Sequence, residues 1–324
     1  MANRPENPTN AVPAQAIPAN ESHGVPNIPG SDRPAFALRM SGAPTVPVLI
    51  AVPHAGRVYP DAVSARMRDA AYATTRLEDR LVDLLAEAVA DETGAPLLVA
   101  HAPRAMLDLN RAPDDMDWSM VADARETHRA HSRANRRARS GLGLVPRRLH
   151  GLGEIWRQRL TQAELDARIA QIHEPYHRAL SRTLSDLRRQ WGAALLVDLH
   201  SMPPLKKRHP DELPAEFVIG DRFGASAQGN LSATALRYLG ARGRRVAHNR
   251  PYAGGYVLDR HGNPSLGIHA IQVEICRSLY LDPRHEAASA RLPAVVRTLV
   301  GLVQVLAAET VPPAGRHGLP LAAE

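Results

Sequence analysis

Short apolar runs, each the length of a buried strand, alternate with longer amphipathic stretches along most of this sequence. Six runs have this form: Pro47–Pro53, Pro96–Ala102, Ala193–His200, Glu216–Gly224, Arg244–Asn249 and Ala270–Arg277. Apolar residues spaced three and four apart predict helices at about 75–93, 162–191, 225–239 and 283–308. Because strands and helices mostly alternate, we predict an α/β fold with helices on both faces of a sheet.

The composition limits the classes of protein to which the chain can belong. Hydrophobic residues make up 44% of the 324 residues, and no apolar run approaches the roughly 18 residues that a membrane helix needs. The N-terminus has no signal-peptide pattern, and a single cysteine, Cys276, excludes an internal disulfide framework. We therefore expect a soluble, cytoplasmic protein without a membrane partner, and the sequence leaves its oligomeric state open.

Three regions follow from the distribution of apolar residues along the chain. Residues 1–34 are rich in Pro, Asn and Ala and lack periodicity, which is typical of a disordered tail. We predict one folded domain over residues 35–312 and a short C-terminal tail over residues 313–324.

Positive charge is concentrated in one part of the chain. The formal net charge is +7 and the isoelectric point is about 10.0, and much of the excess lies in Arg125–His150. Such a run can bind nucleic acid, but no aromatic residue lies among its basic residues and it contains no recognised nucleic-acid motif. We therefore favour a solvated Arg-rich loop and expect no nucleic-acid partner. A positive field also suits a small anionic substrate.

Several predicted strands end in, or contain, chemically reactive side chains. His54 follows the first strand, Asp198 and His200 end the third, and Glu274 lies inside the apolar run "IQVEIC". Ligand sites of open α/β sheets lie at the carboxyl ends of strands, and a carboxylate cannot be buried unpaired without a large free-energy cost. Asp198 either orients a histidine or caps the strand end.

Two histidines, a carboxylate ligand and a separate glutamate are the components of a mononuclear zinc hydrolase. Zinc takes three protein ligands, leaves a fourth position for water and lowers the pKa of that water toward about 7. A nearby carboxylate then removes a proton and delivers it to the leaving amine. The sequence has no HExxH motif and its candidate ligands are scattered, so their spacing alone is only moderately specific.

Seven segments of the sequence together resemble the N-formylglutamate amidohydrolase family, and they occur in that family's order over roughly residues 46–282. They read "VPHAGRVYP", "LEDRLVD", "LDLNR", "EPYHRAL", "VDLHSMP", "NRPYAGGY" and "IQVEICRSLYLD". The family is related in architecture to zinc carboxypeptidases and aspartoacylase. The resemblance implies a single zinc carboxypeptidase-like (phosphorylase/hydrolase-like) domain, with a central mixed sheet flanked by helices.

The same resemblance implies a zinc-dependent hydrolase of N-acylated acidic amino acids, with residues 35–312 as its catalytic domain. The typical reaction of the family converts N-formyl-L-glutamate to formate and L-glutamate, late in histidine breakdown. Two alternatives stay open: a peptide carboxypeptidase or amidase that uses the same zinc site, and a nucleic-acid-binding protein that uses the Arg-rich stretch.

The resemblance assigns His54 of "PHAG" and His200 of "DLHS" as the two histidine ligands of Zn²⁺. Carboxypeptidase-like sites usually read His-x-x-Glu, but the third residue after His54 is Arg57. The carboxylate ligand must then come from elsewhere in the chain. We expect Asp79 of "LEDRLVD", with Glu78 as the alternative.

The candidate catalytic and substrate-binding residues also follow from the resemblance. Glu274 corresponds to the general base of carboxypeptidase-like sites, and Arg104 lies near the position of an arginine that polarises the scissile carbonyl. Arg111 of "DLNR" corresponds to the arginine that holds the substrate carboxylate in aspartoacylase, with Asn110 beside it.

Two further groups of residues allow either a functional or a structural interpretation. Tyr252, Gly254 and Gly255 of "NRPYAGGY" are candidate substrate-binding residues, because glycine lets the backbone approach a ligand, although a plain turn also explains them. His173 and His177 are four residues apart and share a helix face. They form either a metal pair or ordinary hydrogen-bonded histidines at the edge of the core, and we favour the second interpretation.

Overall fold

A computed structural model describes residues 24–40, 42–124, 136–207, 209, 211 and 213–311 of the chain. Its centre is a seven-stranded mixed sheet in the order β1-β3-β2-β6-β9-β7-β8, accompanied by a small β4-β5 hairpin. The strands are β1 Phe36–Arg39, β2 Val48–Val52, β3 Leu97–Ala100, β4 Arg148–Leu149, β5 Gly153–Glu154, β6 Ala194–Met202, β7 Phe217–Gly220, β8 Val246–His248 and β9 Ile268–Cys276.

The four middle strands of the large sheet, β3, β2, β6 and β9, run parallel to one another. At one edge β1 pairs antiparallel with β3, and at the other β7 pairs antiparallel with β9 and parallel with β8. Every residue of β2, β3 and β6 is buried, as expected of parallel strands that are covered on both faces.

Helices cover both faces of the sheet, which confirms the predicted α/β class. The helices are α1 Asp61–Ala65, α2 Ala70–Leu77, α3 Val82–Thr93, α4 Arg136–Arg139, α5 Gln162–Arg168, α6 Glu174–Trp191, α7 Gly229–Ala241, α8 Tyr256–His261 and α9 Leu292–Thr310. One face packs against α6 and α8, and the other packs against α3, α7 and α9.

Strand β6 determines which face of the sheet carries the polar groups. Its side chains alternate between the two faces. Ala194 and Leu196 point to the α6 side and join the core cluster there, and Asp198 and His200, further along the strand, point to the same side. The apolar face of β6 therefore becomes polar at the carboxyl end of the strand, under the cover of α6.

The helix predicted over residues 75–93 is broken in the middle. Helix α2 ends at Leu77, Glu78 is extended, Leu81 adopts a left-handed backbone conformation with φ 56°, and α3 begins at Val82. The physical reason lies outside the helix, because the Asp79 N–H donates to the His54 carbonyl at 2.9 Å and the carboxylate turns inward. Local apolar periodicity carries no information about such a contact.

Two other predicted boundaries differ from the structure. Strand β1 was not predicted, and it completes the sheet through antiparallel pairing with β3. The closing helix begins at Leu292 rather than near 283, because the preceding residues form a turn in which Leu281 and Ala288 are bridged. Proline at the first turn of α9 suits a helix start.

Helix α9, Leu292–Thr310, is long and apolar enough to cross a membrane by composition, but half of it is buried within the domain. It packs against α3 and α7. Its apolar character is therefore that of a core helix.

The N-terminal boundary also differs from the prediction of a tail that reaches residue 34. Ile28 is 1% exposed, Asn27 and Pro34 form a bridge, and the Ala35 N–H donates to the Pro26 carbonyl at 2.9 Å. Residues 24–34 thus pack on the domain. Residues 1–23 and the predicted C-terminal tail, 313–324, lie outside the described residues.

Candidate active site

Three predicted metal ligands from distant parts of the chain meet at the carboxyl end of the sheet. His54, Asp79 and His200 are each 3% exposed, and their ligand atoms lie within 4.8 Å of one another. Asp79 Oδ2 is 3.0 Å from Nδ1 of His200 and 3.6 Å from Nδ1 of His54. A tetrahedral zinc site with bonds of 2.0–2.1 Å separates its ligand atoms by about 3.4 Å, so these two spacings suit such an ion.

The outer nitrogens of the two histidines are held by two further carboxylates. Nε2 of His54 is 2.7 Å from Asp108 Oδ1, and Nε2 of His200 is 2.9 Å from Asp198 Oδ2. Metal-binding histidines usually donate their second N–H in this way, which fixes the tautomer and leaves the other nitrogen for the metal. Asp198 therefore orients a histidine, one of the two roles that the sequence left open.

The inner nitrogen of His54 gives an independent test of whether a metal fits. His54 Nδ1 is buried and has no hydrogen-bond partner among the described residues. Buried polar nitrogens rarely stay unpaired, and this one faces the Asp79 carboxylate and His200. The donor set, two imidazole nitrogens and one carboxylate oxygen, is one that zinc accepts. The residues present thus fit a metal ion.

The electrostatic field at this point favours a cation. Burial opposes the charged form of His200, but Asp198 and Asp79 on either side outweigh it and raise the pKa of His200 well above its ordinary value. Burial also opposes the charged form of Asp79, but the hydrogen bond with His200 and the positive charge that the nearby His54 can carry hold the pKa of Asp79 below the usual range. A field that favours a proton at this position also favours a metal cation.

Of the two carboxylates that the sequence left open as a ligand, the structure places Asp79 with the histidines. The side chain of Glu78 is buried away from the two histidines, and its Oε2 accepts from Arg80 Nη1 at 3.3 Å. Burial raises the pKa of Glu78. Because Glu78 is extended and Asp79 follows it, the two side chains leave the chain in different directions.

A residue that the sequence analysis did not single out, Arg277, holds the broken segment in place. Its guanidinium donates to Asp79 Oδ1 at 3.4 Å, to the Thr75 carbonyl at 3.2 Å and to the Glu78 carbonyl. Carbonyls at the end of a helix lack partners within the helix, and Arg277 satisfies two of them at the end of α2. The sequence signal was an arginine directly after the buried strand β9.

Glu274 lies beside the metal ligands on the neighbouring strand. It pairs in register with His200 across β6 and β9, so the two side chains project from the same face of the sheet. Gln272 Nε2 donates to Glu274 Oε1 at 2.9 Å. Burial is the main cause that raises the pKa of Glu274 to about 7, a value near that of an effective general base at neutral pH.

The two predicted arginines differ in how many of their N–H groups already donate to other groups of the protein. Arg104 donates through Nε to Asp108 Oδ2 at 2.9 Å, and its terminal nitrogens have no hydrogen-bond partner among the described residues. Arg111 donates to the carbonyls of Leu142 and Asn110, at 2.9 and 2.7 Å, and lies 4.0 Å from the Asp108 carboxylate. Arg104 is therefore the more available of the two for a ligand.

The predicted substrate-binding residues Asn110, Gly254 and Gly255 make contacts within the protein. Asn110 Oδ1 accepts from the Val257 N–H at 2.9 Å. A Cβ at Gly255 would lie 2.5 Å from that oxygen, and Gly254 has φ +99°, so glycine is needed at both positions. These contacts join the two loops, and direct substrate contact by these three residues stays a prediction.

Tyr252, the remaining candidate, is half-buried next to the site. Burial raises the pKa of Tyr252, and the charges of Glu274 and Asp79 raise it further, which reflects their proximity. Tyr252 therefore lies close enough to Glu274 and to the candidate ligand Asp79 for their charges to act on its hydroxyl.

His173 and His177, the other histidine pair from the sequence, form hydrogen bonds with carbonyl groups. His173 Nε2 donates to the Arg111 carbonyl at 2.9 Å, and His177 Nε2 donates to the Leu109 carbonyl at 3.0 Å. Among the described residues they belong to no metal-binding group. The interpretation as hydrogen-bonded histidines is therefore confirmed.

Two arginines near the end of the Arg-rich stretch form ion pairs within the protein. Arg147 Nη1 lies 2.7 Å from the Asp117 carboxylate, and Arg148 Nε lies 2.6 Å from the Glu154 carboxylate. Residues 125–135 lie outside the described residues. These ion pairs reduce the positive surface that the nucleic-acid alternative requires.

Comparisons with known proteins agree with this geometry. The N-formylglutamate amidohydrolase family matches residues 46–281, nearly the span over which the sequence resembled it. An N-formylglutamate deformylase from Pseudomonas aeruginosa is 31% identical over 244 residues, covering 73% of this chain and 83% of the relative. One from Pseudomonas putida is 31% identical over 241 residues, covering 73% and 82%.

A solved structure gives the same result for the fold. The crystal structure of N-formylglutamate amidohydrolase from Ralstonia eutropha JMP134 has a TM-score of 0.76 and 31% sequence identity. The match covers 85% of this chain and 98% of that chain. With its family match, its relatives and its fold in agreement, the chain belongs to the N-formylglutamate amidohydrolase family and is a hydrolase that acts on an amide bond.

Proposed function

We propose that the protein is a zinc-dependent deformylase that hydrolyses N-formyl-L-glutamate to formate and L-glutamate. The observation that carries the proposal is the buried cluster of His54, Asp79 and His200, whose inner donor atoms converge while their outer atoms are held by protein carboxylates. The names of the Pseudomonas relatives support the choice of substrate.

His54, Asp79 and His200 would hold the zinc ion through Nδ1, a carboxylate oxygen and Nδ1. When bound there, zinc polarises the formyl carbonyl and lowers the pKa of the attacking water. Glu274 accepts a proton from that water and returns it to the departing amine nitrogen, and a pKa near 7 allows both transfers. Arg104 binds a negatively charged group of the substrate, because its terminal nitrogens have no hydrogen-bond partner among the described residues.

The substrate is a dianion, and arginines near the site supply the matching charge. A guanidinium binds a carboxylate in a bidentate fork that lysine cannot copy. We assign this role first to Arg104, because Arg111 already donates to two backbone carbonyls. Arg57, the third residue after His54, forms a two-bonded pair with Asp83 at 2.9 and 2.6 Å and is less available.

The cellular context of the proposal follows from the family and from the single thiol. Cys276 is buried and free, which is compatible with a reducing compartment, and we place the enzyme in the cytoplasm. Formation of glutamate from its N-formyl derivative belongs to histidine catabolism in the family that this chain resembles.

The direct test is a substrate panel with the zinc-loaded protein. N-formyl-L-glutamate should release formate, with kcat/KM about 10- to 100-fold higher than N-formyl-L-glutamine, because the neutral analogue lacks one charged hydrogen-bond partner. A dipeptide whose C-terminal residue is glutamate should be a poor substrate. Faster cleavage of the dipeptide would favour the peptidase alternative, and hydrolysis that survives complete chelation would argue against the zinc proposal.

Removing a ligand should remove the metal. His54→Ala and His200→Ala should each reduce zinc affinity by more than the 10- to 100-fold that is typical of changing an outer partner. His269→Ala is the matched control, since His269 is also buried but lies on β9 about 17 Å along the strand from Glu274. Metal content and competition titration measure the result. Full zinc occupancy in both ligand variants would refute the site.

Glu274→Gln should leave zinc content and melting temperature near those of the wild type but reduce kcat by about 10²–10⁴-fold. The amide keeps the shape of the side chain and cannot accept the proton. Glu309→Gln serves as the control, because the Glu309 carboxylate lies at the surface and accepts a hydrogen bond from Asn230. Steady-state formate release is the measurement, and a near-normal kcat would leave Glu274 with a structural role.

The two arginines can be separated by matched substitutions. Arg104→Lys should lower kcat/KM for N-formyl-L-glutamate about 10- to 100-fold, because one charged hydrogen bond is worth about 1.5–3 kcal/mol. Arg111→Lys should lower it less, and Arg157→Lys, whose guanidinium donates to the Met67 and Arg68 carbonyls, should not. The opposite order for Arg104 and Arg111 would reassign the carboxylate contact to Arg111.

A further inference from the structure

The loop that carries Arg104 and Asp108 has no regular secondary structure of its own. Residues 103–111 form turns, neither helix nor strand. Yet Asp108 must be positioned closely, because its Oδ1 lies 2.7 Å from Nε2 of the ligand His54 while its Oδ2 accepts from Arg104 at 2.9 Å. Contacts from outside the loop fix its backbone: the Asp108 N–H donates to the Leu144 carbonyl at 2.7 Å, and further groups bind the carbonyls on either side of Asp108.

Three buried side chains of one continuous helical segment donate to three carbonyl groups of this loop. The donors and acceptors are Arg168 Nη1 to Met106 at 2.9 Å, His177 Nε2 to Leu109 at 3.0 Å, and His173 Nε2 to Arg111 at 2.9 Å. We call these three donors, Arg168, His173 and His177, the loop-facing stripe. The three carbonyl groups that they bind lie on both sides of Asp108 along the loop.

The stripe exists because the helix contains a π turn. Residues Ile169–His173 form that turn, and the Glu174 N–H donates to the Ile169 carbonyl, five residues back. In an α-helix, residues five apart point about 140° away from each other. The hydrogen bond of a π turn spans five residues instead of four. The helix therefore contains one extra residue at this turn, which brings Arg168 onto the face of His173. His177, four residues further along regular helix, continues that face.

The histidines are uncharged, which sets the direction of each hydrogen bond. Burial lowers the pKa of His177 well below its ordinary value and that of His261 to about 3. A carbonyl only accepts, so Nε2 of His177 carries the proton. Its Nδ1 then accepts from Nε2 of His261 at 2.9 Å, and Nδ1 of His261 accepts from the Ser181 hydroxyl at 3.4 Å.

We propose that Arg168, His173 and His177 are positioning residues of the active site, which act through the backbone of residues 106–111 on Asp108 and thereby on the metal ligand His54. The π turn is the feature that aligns them. The proposal deepens the proposed zinc function and rests on it for the identity of the metal.

The test compares variants that remove or keep the donated N–H. His177→Leu and His173→Leu should lower zinc affinity about tenfold, as expected for loss of an outer support. His177→Gln and His173→Gln should restore most of it, because the glutamine amide can donate to the same carbonyl. In the metal-free protein, exchange of the Asp108 and Asn110 amides should be about fivefold faster or more in the leucine variants.

Leu184→Ala is the matched control, a core truncation on α6 away from the loop. It should lower the melting temperature at least as much as His177→Leu, with zinc affinity and loop exchange unchanged. Wild-type zinc affinity and exchange in both leucine variants would overturn the proposal, and so would equal losses in Leu184→Ala. A wild-type protein that binds zinc but leaves N-formyl-L-glutamate intact would overturn the proposed function alone, and the affinity and exchange comparisons would still decide the role of the stripe.

Discussion

The buried carboxylate of Asp79 is the constraint on which the rest of the site depends. A carboxylate that leaves water needs charged or hydrogen-bonding partners to offset a desolvation cost of several kcal/mol. His54, His200 and Arg277 supply them. For Asp79 to reach these partners, one helix must end at Leu77 and the next must begin at Val82. Arg277 also donates to the carbonyl groups left without partners at the end of the first helix. The interrupted helix is thus a consequence of burying one charge.

Two kinds of support meet at this site. The proposed ligand His200 and the proposed base Glu274 stand on adjacent parallel strands in the middle of the sheet, each of which pairs with a strand on both sides. Asp108 and Arg104 come from a loop outside the sheet, which is held by the Leu144 carbonyl and by side chains of the opposing helix. Precise function from a loop requires external support of this kind. The sheet therefore positions His200 and Glu274 directly, and the helix positions Asp108 and Arg104 indirectly, through the loop.

The sequence predicted the parts of the site that depend on strand ends, and missed the parts that depend on contacts across the fold. His54, His200 and Glu274 could be predicted because an apolar run that ends in a polar side chain has a known location in a parallel sheet. Arg277 could not, since its function is to satisfy carbonyls about 200 positions earlier. Substrate contact by Asn110 stays a prediction, and the hydrogen bond that its oxygen accepts from a backbone N–H 147 residues away could not be predicted. In each case the local sequence is compatible with both outcomes.

Metal and proton compete for the same atoms in this arrangement. The carboxylates of Asp198 and Asp79 raise the pKa of His200, and a metal ligand must be deprotonated on the nitrogen that binds. The two carboxylates do not act alike, however. Asp198 accepts from the outer nitrogen of His200 and would keep this hydrogen bond with a metal bound, whereas Asp79 faces the inner nitrogen and would itself be a ligand. A metal ion would therefore replace the inner proton of His200 and leave the outer one, so the hydrogen bond with Asp198 would hold the ring in the same orientation in both states.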